Sequence, residues 1–284
     1  MHLLLSAEPY LRLSPSGTRL TWIPLVGVSD LATWTIDVPP PRVEPSPRWV
    51  RVRAGDTEVA NSRRALLLVW YGPGMLPTYC VPGDDVRRDL LGTSPTSGAH
   101  DFVSDHDLTV GDLMVPRSAQ LFHDPPAPLQ ALDGYWTFTW DDGLSWFEEA
   151  LEVHVHARDP SKRVDVVPSE RHVQVQLDGE LVAESHRPHA LFETTLPTRW
   201  YLPLEDVRQD LVSSTTVSRC PYKGRASYWS VRIGDVLHPD VAWTYREPVP
   251  ECPRIAGLVC FLNEAVDLII DGVPEERPLT PWSR

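Results

Sequence analysis

With 284 residues, 42% of them hydrophobic and 23% charged, the chain can form one large domain or two ordinary ones, each with a buried core. A formal charge of −13 argues against nucleic acid as a main partner, because binding to phosphate backbones draws on basic surface. No apolar run approaches the length of a membrane-spanning helix, and Leu3-Leu4-Leu5 has no basic lead-in for a signal peptide, so no membrane partner and a cytoplasmic location are expected.

Residues 1–46 match nothing else in the chain and end in a proline-rich stretch, Pro39-Pro40-Pro41; they read as an extension packed on the first domain. The 29 prolines, about twice the usual share, favour many short strands and turns over long helices. Beyond the extension the chain repeats itself. Leu76-Pro77-Thr78 followed by Pro82, Asp85-Val86-Arg87 and Asp89-Leu90 returns as Leu196-Pro197-Thr198, Pro203, Asp206-Val207-Arg208 and Asp210-Leu211. Tyr135-Trp136-Thr137-Phe138 aligns with Ala242-Trp243-Thr244-Tyr245, and Phe147 to Val153 aligns with Leu262 to Leu268. Blocks recurring in one order indicate a tandem duplication, with a diverged first domain at 47–158, a linker at 159–169 and a second domain at 170–284.

Ala65 to Tyr71 reads as a buried strand. In the middle of the first copy an acidic insert gathers His100, Asp101, Asp105, His106 and Asp107, and His154 and His156 fall on one face of a predicted strand. Such a His-x-His with a distant third ligand is compatible with zinc, but equally with solvated polar alternation, and no metal is assigned. In the second copy Val173 to Leu177 alternates strictly into an Asp178-Gly179 turn, the mark of a hairpin continuing through Ala183. Pro203 to Leu211, with proline first and acids in the first turn, predicts the one short helix of that copy. Arg225 to Ile233 predicts a strand with Arg225, Ser227, Trp229 and Val231 on one face and Ala226, Tyr228 and Ser230 on the other. Leu258–Phe261 and Ala265–Ile270 predict a closing hairpin. The fold class is mainly β.

Chemistry concentrates between the matched blocks of the second copy, at Cys220-Pro221-Tyr222-Lys223-Gly224. From Arg219 to Arg232 there are four cations and no acid, in an acidic chain that has only two lysines. A lysine ammonium responds to burial in ways a guanidinium does not, and cations beside Cys220 favour a thiolate. The same five residues also suit a tight turn, with Cys220 a small buried hydrophobe. Cys252 and Cys260 lie on apolar flanks and read as core. None of the four cysteines forms a Cys-x-x-Cys pair, so neither structural zinc nor a disulfide framework is expected. Tyr201, Tyr222, Tyr228, Trp229, Trp243 and Tyr245 are part core and part pocket lining.

These residues predict a small-molecule ligand, anionic or carbonyl-bearing, held in an aromatic pocket of the second domain. Cys220 serves as nucleophile or proton donor, and Lys223 with Arg219 or Arg225 as an anion clamp. No cofactor motif is present. A non-catalytic binding or assembly module and a thiol redox enzyme are the alternatives.

Cys220-Pro221-Tyr222-Lys223-Gly224, with Ala226-Ser227-Tyr228-Trp229-Ser230-Val231, Ala242-Trp243-Thr244-Tyr245, Glu205-Asp206-Val207 and Gly257-Leu258-Val259, resembles the bacterial domain-of-unknown-function family 427. The resemblance covers the second copy and makes the first a diverged member without the signature. It implies a β-tent architecture like that of methionine sulfoxide reductase B and Mss4-like proteins, without their zinc cysteines. A nucleotidyltransferase heading attached to that family finds no counterpart here, since no Gly-Ser precedes paired aspartates able to hold magnesium.

Overall fold

The computed structural model describes residues 11–13, 20–22, 38–71, 75–93, 95–140 and 143–283. The chain divides into one unit at residues 39–159 and a second comprising residues 160–284 with the N-terminal segment. Of the 46-residue extension, β1 (Leu11–Leu13) and β2 (Leu20–Trp22) form an antiparallel hairpin, and most of the remainder lies outside the described residues.

The first domain contains β3 (Arg42–Pro45), β4 (Val50–Ala54), β5 (Thr57–Ser62), β6 (Leu66–Val69), β7 (Thr78–Pro82), β8 (Thr96–Ser97), β9 (Val103–Val110), β10 (Leu113–Phe122), β11 (Tyr135–Phe138), β12 (Ser145–Glu148) and β13 (Leu151–Val153). The second contains β14 (Val164–Pro168), β15 (Val173–Leu177), β16 (Glu180–Ser185), β17 (His189–Glu193), β18 (Arg199–Leu202), β19 (Asp210–Cys220), β20 (Gly224–Ile233), β21 (Val236–Pro248), β22 (Val259–Phe261), β23 (Asp267–Ile270) and β24 (Val273–Pro274).

In the first domain a seven-stranded sheet runs β3-β6-β7-β11-β10-β9-β8 and a four-stranded sheet runs β13-β12-β4-β5. The second repeats this strand for strand, β14-β17-β18-β22-β21-β20-β19 and β24-β23-β15-β16. The chain is therefore mainly β, built as two β domains of one topology. Hydrophobic alternation explains the small sheet: Val173, Val175 and Leu177 point inward while Gln174 and Gln176 are half-buried. They pack with Leu202, Val231, Ala242, Phe261, Leu268 and Ile270 into the core between the two sheets. In β18 and β22 the alternation vanishes because every residue is buried, as befits strands covered on both faces. The second face of the large sheet packs Leu191, Tyr201, Ala226, Tyr245 and Cys260 under Cys252 and Ile255, which come from a covering loop with a single 3-10 turn, Pro253–Ile255.

Several sequence expectations hold and several do not. The hairpin at Asp178-Gly179 forms, with φ of 52° and 81° at the turn. The predicted helix at Pro203–Leu211 shrinks to a 3-10 turn, Leu204–Asp206, because Asp210 already pairs with Arg232 in the sheet. Leu258–Phe261 and Ala265–Ile270 do not make a hairpin: β22 pairs with β18 and β21, while β23 crosses to the small sheet and pairs with β15. Each copy also begins one strand earlier than its repeat boundary, since β3 and β14 fall in the segments read as extension and linker. Of the aligned blocks only the first joins equivalent strands, β7 and β18. Tyr135–Phe138 is β11, whose counterpart is β22 and not the Trp243 strand; Phe147–Val153 is likewise out of step. Short aromatic alternations suit any buried strand, so they align without being equivalent. β1 lies alongside β19, so the hairpin of the extension meets the second domain, whereas β3 joins the large sheet of the first.

Candidate functional site

The signature segment is the tip of the β19–β20 hairpin. Cys220 pairs with Gly224, and Pro221, Tyr222 and Lys223 make the turn. Gly224 has φ +105°, and a Cβ there would lie 3.3 Å from both the Glu247 carbonyl oxygen and the Val249 nitrogen, two backbone atoms that cannot swing aside. Gly224→Ala should destabilise the domain by about 1–3 kcal/mol. A urea midpoint lowered at unchanged slope would register it.

The turn delivers Lys223 to the second face of the large sheet. Its Nζ donates to Glu193 at the end of β17, and Lys162, the other lysine of the chain, stands 3.8 Å from the same carboxylate. The three side chains are only 12%, 6% and 10% exposed for Lys223, Glu193 and Lys162. Burial opposes both charges, yet the pair keeps them. Cys220, Glu193 and Tyr201 outweigh desolvation and hold Lys223 above the ordinary lysine range; Lys223 and Lys162 hold Glu193 below the usual carboxylate range. Lys223 is thus a permanent ammonium, not an amine released by burial.

Around the pair the sheet supplies hydroxyls and rings. The Trp243 indole donates to the Tyr201 hydroxyl at 3.1 Å, Ser218 Oγ and Tyr228 OH lie 3.0 Å apart, and the Tyr228 and Trp243 rings are 6.3 Å between centroids. Tyr201 and Tyr245 are buried, and burial pushes both phenols well above their ordinary range. Beside Tyr201 on β18, Arg199 makes two 2.7 Å bonds to Glu264, which also accepts from Thr280 at 2.6 Å. Glu193, Lys162, Arg199 and Glu264 escape a reading of motifs. The available signal was an acid closing the apolar run Ala190-Leu191-Phe192.

The structure brings together Cys220, Lys223, Tyr201, Tyr228, Trp243 and Tyr245, and it separates Arg219, Arg225 and Trp229 from them. Arg219 pairs across the hairpin with Arg225, one residue out of phase with Cys220 and Ala226, so both guanidinium side chains leave from the opposite face. Trp229 packs on the inter-sheet side, its indole donating to Thr244 at 3.0 Å. Tyr222 stays half-buried in the turn.

Among the cysteines only Cys220 is half-exposed. Burial pushes Cys252 up to about 11 and Cys260 up to about 12, and it raises Cys80 as well. The histidines of the first domain disperse: His100 stacks on Trp70 and Phe102, and His106 Nδ1 meets the Gly92 carbonyl. His154 and His156 fall beyond the end of β13, so they share no strand face. No group of three or more His, Cys, Asp or Glu side chains among the described residues is arranged to hold a metal ion.

The first domain provides the same face without the lysine–glutamate pair, its buried polar group there being Asp105, bonded to Arg117 and Gln120. Leu66 pairs with Pro45 as His189 pairs with Pro168, so Trp70 occupies the place of Glu193. By the same registers Cys80 stands for Tyr201, Thr78 for Arg199, and Phe122 for Tyr245. His100, three residues before Val103, stands for Lys223, three before Ala226. Where the second domain buries an ion pair, the first stacks His100 on Trp70 at 5.0 Å over Leu68, Phe122 and Leu132.

No curated protein gives a significant match to the chain. A family model described as a domain of unknown function (DUF427), also titled NTP_transf_9, matches twice, over residues 42–149 and 165–272. These spans take in the two sheet pairs apart from the last short strand of each, β13 and β24. The chain therefore belongs to the DUF427 family, as a tandem duplication of its domain.

Proposed function

We propose that the second domain binds a small anionic or carbonyl-bearing molecule on the face of the large sheet that carries Cys220 and Lys223. The observation behind this reading is the contrast between the domains. One fold is completed twice, once with His100 stacked on Trp70 and an Asp105 carboxylate held by Arg117 and Gln120, and once with a buried cluster of Lys223, Glu193, Tyr201 and Tyr245. A buried ion pair is seldom the cheapest way to fill a core, so a pair on this face with both partners buried, which the first copy replaces with an Asp105 held by the exposed Arg117, points to use rather than to folding. Lys223 supplies a fixed positive charge. Arg219 and Arg225 leave from the other face, so the anion clamp on this side reduces to Lys223 with the hydroxyl and indole donors of Ser218, Tyr222, Tyr228 and Trp243. Where the ligand carries a carbonyl, Cys220 Sγ attacks its carbon and the ammonium stabilises the developing oxyanion.

The test is alkylation with a charged and a neutral reagent. Relative to a small free thiol, Cys220 should favour iodoacetate over iodoacetamide by roughly tenfold, the equivalent of about 1.4 kcal/mol of attraction. Lys223→Met combined with Glu193→Leu, which removes both partners of the ion pair, should abolish the preference and leave the iodoacetamide rate in place. Equal preference in both proteins would refute the anion site.

A thiol redox role is the second reading, favoured by Cys252 lying near enough to Cys220 for their charges to interact. A thiol pushed up to about 11 resolves slowly at neutral pH. Mild oxidation with loss of two hydrogens in the wild type, but not in Cys252→Ser, would support it.

A further inference from the structure

A second site lies on the opposite side of the second domain, against the outer end of the inter-sheet core. In the first domain the Glu148 carboxylate is buried at the end of β12, accepting from the Tyr79 hydroxyl at 2.7 Å and from the Arg48 guanidinium. Register identifies the three equivalents. Val50 pairs with Glu148 as Val173 pairs with Ile270, Tyr79 pairs with Leu67 as Trp200 pairs with Ala190, and Arg48 and Arg171 each stand two residues before those valines. The second domain thus keeps two donors, the Trp200 indole and the Arg171 guanidinium, and replaces the acceptor with Ile270.

The consequence is visible in the structure. The Trp200 side chain is buried, 5% exposed, and its Nε1 finds no hydrogen-bond partner among the described residues. Arg171 lies over its ring, 5.6 Å from the centroid, engaged with Asp271 through Nε and leaving its other edge clear of the described residues. A cavity of about 200 Å³ opens here, lined by Trp200, Arg171, Thr198 and Ser169, with Phe192 and Val167 as apolar walls. A buried donor left unpaired destabilises the fold, and an external acceptor recovers that loss. Roughly seven waters fill such a volume, so the occupant is small.

We infer that this cavity binds a small carboxylic acid with an apolar body, its carboxylate accepting from Trp200 and Arg171 as the Glu148 side chain accepts from Tyr79 and Arg48 in the first domain. The body lies against Phe192 and Val167. Glu275 sits on the rim, exposed, and disfavours a second negative charge on the ligand.

The experiment is a titration of the full chain with phenylacetate, followed by the tryptophan indole 15N–1H resonances, with Trp200 identified as the signal absent from Trp200→Phe. Phenylacetate should move that signal downfield, and phenylacetamide should bind at least about tenfold more weakly, the difference between a charged and a neutral acceptor. Arg171→Met should weaken phenylacetate to the same degree. Ile270→Glu, which rebuilds the internal carboxylate, should shift the Trp200 signal without ligand and block phenylacetate. If Ile270→Glu fails to fold, the Arg171→Met comparison decides alone. An unmoved Trp200 signal, or equal binding of acid and amide, overturns the inference.

Discussion

Glu193→Leu alone is expected to lower the stability of the second domain by about 3–5 kcal/mol, because it strands the largely buried Lys223 ammonium without its carboxylate. Adding Lys223→Met should recover most of that loss, since the first domain folds with His100 stacked on Trp70, and no lysine–glutamate pair, at the same positions. A double-mutant cycle from urea unfolding measures the coupling; a double variant no more stable than Glu193→Leu would contradict the comparison of the domains. The pair also sets a pH window. Glu193 is held below its ordinary range, so its contribution is present above the unfolded carboxylate value and fades as pH falls through the lower folded one. Lys223 is held above its ordinary range, so its contribution is complete below the unfolded lysine value and fades as pH rises through the higher folded one. Wild-type stability from this pair is therefore level across neutrality and falls at both extremes, a dependence the double variant should lack.

The second large effect belongs to Arg199. Its guanidinium is buried and bonded twice to Glu264, a carboxylate 1% exposed that also holds Thr280. Arg199→Met leaves that carboxylate buried beside an apolar chain, at an expected cost of about 3–5 kcal/mol near neutral pH. Burial raises Glu264, and Arg199 is what brings it below its ordinary range. Without Arg199 only the Thr280 hydroxyl and a backbone hydrogen bond oppose the desolvation; the folded value is expected to move above the unfolded one, and the variant should regain stability on acidification as the group binds a proton. Glu264→Gln in the Arg199→Met background should reproduce the gain at neutral pH. Equal deficits at acid and neutral pH would show that packing, not charge, accounts for the loss.

The strands, the Asp178-Gly179 hairpin and the duplication were legible because they rest on alternation and turn chemistry, which are local. The 3-10 turn after Pro203 was misread because capping signals are the same whether one turn or three follow, and sheet pairing by Asp210 decides the length. Cys220, Lys223 and their aromatic neighbours were legible as a group because they sit in one hairpin and its partner strand. The division of that group was half legible: alternation gave the opposed faces of Tyr228 and Trp229, and the same count separates Arg219 and Arg225 from Cys220. Glu193 was not legible, since only the pairing of β14, β17 and β18 carries it under the turn. The charge of Lys223 likewise depends on that partner.

The interleaved sheets also bear on how the chain reaches its native state. β4 must wait for β12, and β15 for β23, each partner arriving about a hundred residues later in synthesis, so both domains close by long-range pairing and are expected to fold slowly. Two slow domains of one topology on one chain can trade strands, with β12 completing the second domain or β23 the first. The buried residues penalise only one of these exchanges. Ile270 on β23 would leave Tyr79 and Arg48 without their acceptor, whereas Glu148 on β12, placed beside Trp200 and Arg171, would still meet donors. Divergence between the copies thus makes strand partnership unequal, with one wrong pairing rejected and the other tolerated.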